Sequence, residues 1–229
     1  MSKRFIKGME HGIPIALGYF SVSFSFGILA VRAGLSVFEA AMISLTCLTS
    51  AGQAAGVDVI ASGGPIIEMI LVQLVINIRY SLMAISLSQK ADETFTLPHR
   101  LVLSHCITDE IFAVCYAQPD KLVPQYMYGC ALVSVAGWVG GTVLGAAMGE
   151  ILPASVTAAL GIMLYGMFVA IIVPPSKKGR DVLFTVVAAA VLNIFIRMIP
   201  VISSSLSVII SAVIAASAAA LIFKGGEEE

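Results

Sequence analysis

Runs of roughly 18 to 23 apolar residues recur along the whole chain, each about as long as a helix needs to cross the hydrocarbon layer of a bilayer. Eight such segments can be marked, at about residues 12 to 31, 38 to 61, 66 to 88, 100 to 117, 125 to 148, 155 to 173, 181 to 198 and 202 to 223. Turn-forming residues separate them: Gly63, Gly64 and Pro65 between the second and third, Pro119 and Pro124 around the fourth link, Pro153 before the sixth, Pro174 and Pro175 after it, and Pro200 between the last two. The ten-residue alternating strands of a membrane barrel are absent. The pattern predicts an all-α polytopic membrane protein of about six to eight transmembrane helices, forming one transmembrane transporter domain over residues 1–229.

Composition closes off other classes. With 59% hydrophobic and 12% charged residues and a mean hydropathy of +0.98, a water-soluble fold cannot keep this much apolar surface from solvent. The longest polar connection, about residues 88 to 99, has no room for a nucleotide-binding domain, and no phosphate-binding loop occurs. A net charge of −1 gives no footing to nucleic acid. Cys47, Cys106, Cys115 and Cys130 and the histidines His11, His99 and His105 lack metal-ligand spacing, so the cysteines read as free buried thiols and neither metal nor cofactor is expected. No hydrolase or protease signature is present, which argues against an enzyme. The basic stretch from Met1 to Lys7 leads into a long apolar run without a cleavage site, and reads as the start of a first membrane helix.

Lysine and arginine collect on the cytoplasmic side of membrane proteins. If every segment spans and the N-terminus is inside, Lys3, Arg4, Lys7, Lys121, Lys177, Lys178, Arg180 and Lys224 are inside and Arg32, Lys90, Arg100 and Arg197 outside. If the second and fourth segments instead dip in and return, Lys90 and Arg100 move inside and only Arg32 and Arg197 stay out. The second arrangement fits the rule better. Both place the two termini in the cytoplasm, as a multi-pass protein of the cytoplasmic (inner) membrane.

Three polar clusters interrupt the first half: Ser50-Ala51-Gly52-Gln53 with Asp58, then Asn77-Ile78-Arg79-Tyr80, then His105 with Thr108, Asp109 and Glu110. Polar and charged groups at membrane depth cost several kcal/mol and ordinarily face a partner, a cavity or a substrate path. Gly52 and Gly56 flank Gln53, so the helix is expected to unwind near Gly52 and Gln53 and expose backbone groups fit to hold a zwitterion; close packing of a Gly-rich helix is the alternative. Gln73, Asn77, Tyr80 and Ser81 fall at helical spacing and predict one polar stripe. Arg79 either pairs with Asp109 or Glu110 or meets a ligand directly. His105 and Asp109, four apart, are expected on one helix face, with one carboxylate paired to Arg79 and the other taking up a proton. Gly137, Gly140, Gly141, Gly145 and Gly149 make a small-residue face suited to packing within the chain or, less simply, between subunits. A weak internal repeat links Val75 to Arg79 with Val191 to Arg197.

In these residues the chain resembles the AzlC family, the large subunit of a two-component branched-chain amino acid exporter. The resemblance runs through Gly12 to Ala30, Ser50 to Ala55, Asn77 to Ser88 and Thr108 to Val114, in order and spacing. Family members often carry an aromatic residue and a histidine where this chain has Ala54 and Tyr80. The resemblance implies secondary active export of leucine, isoleucine, valine and methionine, with a small membrane partner of the AzlD type. An aliphatic zwitterion needs a few polar anchors in an otherwise apolar pocket, which this composition supplies. Ser50, Gly52, Gln53, Gln73, Asn77, Arg79 and Tyr80 are the candidate substrate-binding residues, and His105, Asp109 and Glu110 the candidates for proton coupling or ion pairing. A non-transporting scaffold, a channel, or a carrier of another small metabolite are the alternative readings.

Overall fold

The computed structural model describes residues 2–149, 179–199, 202 and 204–223, with Ser155, Val169, Val173, Ser176 and Lys177. The expected sixth segment, 155 to 173, lies almost wholly outside the described residues, as do Pro153, Pro174, Pro175 and Pro200. Ten helices are described: α1 (Lys3–Arg32), α2 (Val37–Thr46), α3 (Ser50–Ala61), α4 (Ile66–Asn77), α5 (Arg79–Lys90), α6 (Leu97–Ser104), α7 (Asp109–Tyr116), α8 (Pro124–Met148), α9 (Arg180–Arg197) and α10 (Ser204–Ile222). The fold class is all-α, with broken helices in the first half as the sequence implies. Among the described residues, α1 and α8 are long and apolar enough to cross a membrane, and α4 and α5, bent by 44° at a break, reach that length and hydropathy only when taken together.

The chain forms two compact units, one of Met1–Val57 and Ile76–Leu164, the other of Asp58–Val75 and Tyr165–Glu229. The first is built on α1 and α8, which run parallel with their backbones almost touching. A Cβ on Gly12 would lie 2.8 Å from the Cys130 carbonyl oxygen, and one on Gly137 2.8 Å from Ala16 Cα. At Gly8, Gly129, Gly141 and Gly145 the added atom would overlap a carbonyl of the facing helix. The small-residue face of α8 is therefore turned inward against α1, with Gly140 alone among its five glycines facing open space. Between helices in lipid there is no hydrophobic drive to associate, and such close approach supplies packing and weak Cα–H···O contacts in its place.

α1 ends at Gly34, whose φ of +92° permits the closing hydrogen bonds Gly34 N–H to Val31 O and Leu35 N–H to Ala30 O. Ser36 then caps α2: its hydroxyl accepts from Glu39 N–H at 3.2 Å and the Glu39 carboxylate accepts from Ser36 N–H at 2.7 Å. The segment 38 to 61 is not one span. α2 stops at Cys47, which is extended, and α3 restarts at Ser50. Gln53 hydrogen-bonds back to Ser44 and Val57 shares an apolar cluster with Ala40, Phe26, Ala30 and Ala146. Residues 44 with 53 and 40 with 57 are symmetric about the break, so α2 and α3 form a hairpin that returns to the C-terminal ends of α1 and α8.

The segment 100 to 117 breaks likewise, at residues 105–108 between α6 and α7. Both ends of this second hairpin lie by the N-terminal end of α8: His99 Nδ1 is 3.1 Å from Tyr128 Oη, and Gln118 donates to Tyr126 Oη at 2.7 Å. Lys90 Nζ ties it to α5, donating to the carbonyls of Tyr116 and Gln118. Helices of eight to twelve residues rise only about 12 to 18 Å, too little to span. The two hairpins thus approach from opposite ends of the α1–α8 pair.

In the second unit α9 and α10 pack antiparallel, with Phe184 against Phe223 at 5.7 Å and Asn193 Nδ2 donating to Ser207 Oγ at 3.1 Å. The repeat has no structural counterpart at its centre, since α9 runs unbroken through Asn193 whereas the chain breaks directly after Asn77.

Candidate functional site

The tips of the two hairpins meet. His105, at the C-terminal end of α6, donates from Nε2 to the Leu45 carbonyl at 2.9 Å, one of the carbonyls that the end of α2 leaves without a helical partner. Thr49, at the first tip, donates its hydroxyl to Asn77 Oδ1 at 2.8 Å and accepts from Gly52 N–H. Thr46, Cys47, Leu48, Thr49, Asn77, Tyr80, Ser104, His105 and Ile107 together line a cavity of ≈ 180 Å³. Three helix breaks, at 47–49, at 78 and at 105–108, therefore converge on one polar space. Each break contributes a C-terminal end, bearing partial negative charge, and an N-terminal end, bearing partial positive charge.

Beside the cavity, Arg79 opens α5 and pairs with Asp109, the first residue of α7, at 2.5 Å. The guanidinium lies 5.0 Å over the Tyr80 ring and 3.4 Å from its hydroxyl. The pair is partly open, with side chains 41% and 30% exposed, so its attraction is softened by the polar surroundings. Glu110 takes a different partner: Tyr19 of α1 donates its hydroxyl to Oε2 at 2.5 Å and lies 2.5 Å from Thr108 Oγ1. Thr108 caps α7 by accepting from Ile111 N–H, which leaves its own proton for the Tyr19 oxygen.

A fully satisfied network holds the first tip in place. Gln53 accepts from Trp138 Nε1 at 2.9 Å and donates to Ser44 Oγ at 2.9 Å; Ser44 meets Thr142 at 2.7 Å, and Thr142 donates to the Trp138 carbonyl. Trp138 in turn packs edge-on to Tyr19 with centroids 5.2 Å apart. All four side chains of this ring are at most 3% exposed.

Several sequence expectations need correction. Gly52 and Gln53 sit inside α3 rather than in an unwound turn; the break falls earlier, at residues 47–49. Gln53 lies in the buried network and Ser50 opens α3, and neither lines the cavity. The polar stripe is interrupted at Ile78: Asn77 and Tyr80 reach the cavity, while Gln73 belongs to the other unit and donates to Met69 Sδ at 3.9 Å. His105 and Asp109 do not share a helix face, because the chain unwinds between them. The pairing of Arg79 with one carboxylate of the Asp109–Glu110 dyad is found as expected. Tyr19, Trp138, Ser44 and Thr142 were not singled out as a group. Their signal was a lone tryptophan and scattered hydroxyls in apolar helices, groups that need partners when buried. Among the described residues the cysteines are free, and no cluster of three metal-ligating side chains occurs.

A second cavity of ≈ 140 Å³ adjoins the first, with Ser104 and Ile107 in both walls; Ala84, Leu87, Phe95, Leu103, Leu122 and Met127 make it predominantly apolar.

Comparison with known proteins places this geometry in a family. The AzlC protein family matches residues 14–152, which takes in both hairpins, α8 and α1 from Pro14 onward. A membrane protein of Archaeoglobus fulgidus is 32% identical over 192 residues, covering 83% of this chain and 84% of that protein. The inner membrane protein YgaZ of Escherichia coli K12 is 29% identical over 212 residues, 87% of this chain and 85% of its own length. A membrane protein of Helicobacter pylori is 27% identical over 65% of each chain. No solved structure matches the chain.

Proposed function

We propose that this chain, which belongs to the AzlC family, is the transport subunit of a secondary carrier that exports the branched-chain amino acids leucine, isoleucine and valine, and with them the unbranched methionine, across the inner membrane. The observation that carries the reading is the convergence of three helix breaks on one polar cavity that shares a wall with an apolar one. Half-helix N-termini suit a carboxylate, half-helix C-termini and unwound carbonyls suit an ammonium group, and the adjoining apolar space suits the aliphatic side chain.

Coupling is assigned to Glu110. Asp109 is engaged by a permanent cation, whereas Glu110 is held by a neutral hydroxyl and is free to exchange a proton without stranding Arg79. The chain carries out transport rather than chemistry on its substrate, lies with both termini in the cytoplasm, and works with a small membrane subunit of the AzlD type.

The test is efflux from leucine-loaded right-side-out vesicles containing this chain, with and without that small partner, under imposed pH gradients. Saturable, gradient-dependent efflux and counterflow of labelled leucine are expected. No efflux in any combination, with folded protein confirmed, would refute the assignment; linear, non-saturable flux would identify a channel.

A further inference from the structure

A small gap of ≈ 60 Å³ lies at the N-terminal ends of α1 and α8, walled by Arg4, Lys7, Gln118, Asp120, Lys121 and Tyr126. Three cations face one carboxylate. Among the described residues, no carboxylate oxygen lies within 4.0 Å of the Arg4, Lys7 or Lys121 ammonium or guanidinium nitrogens. The floor is fixed, since Tyr126 Oη is held at 2.7 Å from both His11 Nδ1 and Gln118 Nε2.

The surroundings add to the imbalance. α1 and α8 are parallel, with Gly8 against Tyr126 and Gly129 against Phe5, so their positive dipole ends lie side by side. Helix starts ordinarily carry acidic residues that offset this charge. Neither first turn holds one; Lys3 and Arg4 occupy the start of α1 instead, and α8 has no side-chain cap. With Asp120 the one carboxylate in the wall against three cations, the surplus positive charge is left for an anion from outside to offset.

We propose that this gap binds the phosphate of an anionic phospholipid headgroup. It sits where a membrane helix pair meets the polar interface, and on the side that the charge count assigns to the cytoplasm, whose leaflet carries anionic lipid. The gap uses no residue of the hairpin cavity, so the site stands whatever substrate the protein carries.

The experiment is native mass spectrometry of the full chain in an uncharged detergent, titrated with phosphatidylglycerol, with phosphatidylcholine, and with inorganic phosphate. Preferential retention of phosphatidylglycerol is expected, weakened about fivefold for each of Arg4→Gln, Lys7→Gln and Lys121→Gln. These side chains are exposed, so the variants should fold. Equal retention of the two lipids, or undiminished phosphatidylglycerol retention by the triple variant, overturns the proposal. Competition by inorganic phosphate at matched concentration overturns the lipid as ligand in favour of a soluble anion. Should a variant be lost, retention by the unmodified protein that does not fall as salt rises from about 0.05 to 0.5 M also overturns it.

Discussion

The ring of Gln53, Trp138, Ser44 and Thr142 makes a quantitative expectation about what fixes the first hairpin. Gln53→Leu removes two hydrogen bonds, to Trp138 and to Ser44. Interhelical hydrogen bonds in membrane proteins are worth about 0.6 kcal/mol each on average and up to about 1.7. The Trp138 indole N–H, 3% exposed as a residue, would also be left without an acceptor, which costs about 1–3 kcal/mol. The sum is a loss of about 2–4 kcal/mol. Trp138→Phe strands the Gln53 carbonyl in the same way. In the double variant neither orphan exists, so it should be more stable than the two single losses added together, by about 1–2 kcal/mol. Unfolding in mixed micelles, followed by far-ultraviolet circular dichroism because Trp138 is the chain's one tryptophan, measures all four corners of the cycle. Additivity within about 0.5 kcal/mol would show that the two side chains do not depend on each other and would refute this account of the tip.

Arg79→Ala and Asp109→Asn are each expected to abolish leucine efflux while leaving the protein in the membrane; an active Arg79→Ala carrier removes the pair from the mechanism. Glu110→Gln should lose gradient-driven efflux and keep counterflow, and an unchanged pH dependence would move proton coupling elsewhere. Gly145→Leu should cut the yield of monodisperse protein sharply, because its first side-chain atom already overlaps the Phe24 carbonyl, whereas Gly140→Ala, in open space, should leave yield and thermal midpoint unchanged. In a background free of native cysteines, Glu93→Cys should react from the same side as Ser2→Cys, and Ser62→Cys from the side of Gly34→Cys; the reverse pairing would mean that segments 38 to 61 and 100 to 117 span.

Legibility tracked the length scale of the signal. α8 was expected at 125 to 148 and is found at Pro124–Met148, because a long apolar run bounded by Pro has one solution in lipid. The breaks at Cys47 and at 105–108 fall inside runs of the same mean hydropathy, and averaging over twenty residues hides them. What marks them are single hydroxyls, Thr49 accepting from Gly52 N–H and Thr108 accepting from Ile111 N–H, placed where a helix starts again. The glycines near Gln53 looked like the weaker point, yet Gly52 is held inside α3 by the network around Gln53 and the packing of Val57, so tertiary contact overrode propensity. The Arg79–Asp109 pair was foreseeable because a deep charge has few partners to choose from. Glu110 with Tyr19 was not, since 91 residues separate them and nothing local ties one to the other.

The two hairpins also explain each other energetically. A helix end at mid-membrane leaves backbone N–H and C=O groups without partners, each costing several kcal/mol against lipid, so a lone re-entrant loop is untenable unless protein or a polar cavity meets its tip. Here each tip is met by groups from elsewhere in the same fold: the Leu45 carbonyl by His105, Thr49 by Asn77, and the first residue of α7 by Arg79. Neither hairpin would keep its break alone. Because the groups that satisfy the tips also line or flank the polar cavity, a ligand entering there competes for the same hydrogen bonds that hold the hairpins together. A substrate with one anionic and one cationic end is the kind of guest that can replace both sorts of helix-end contact at once.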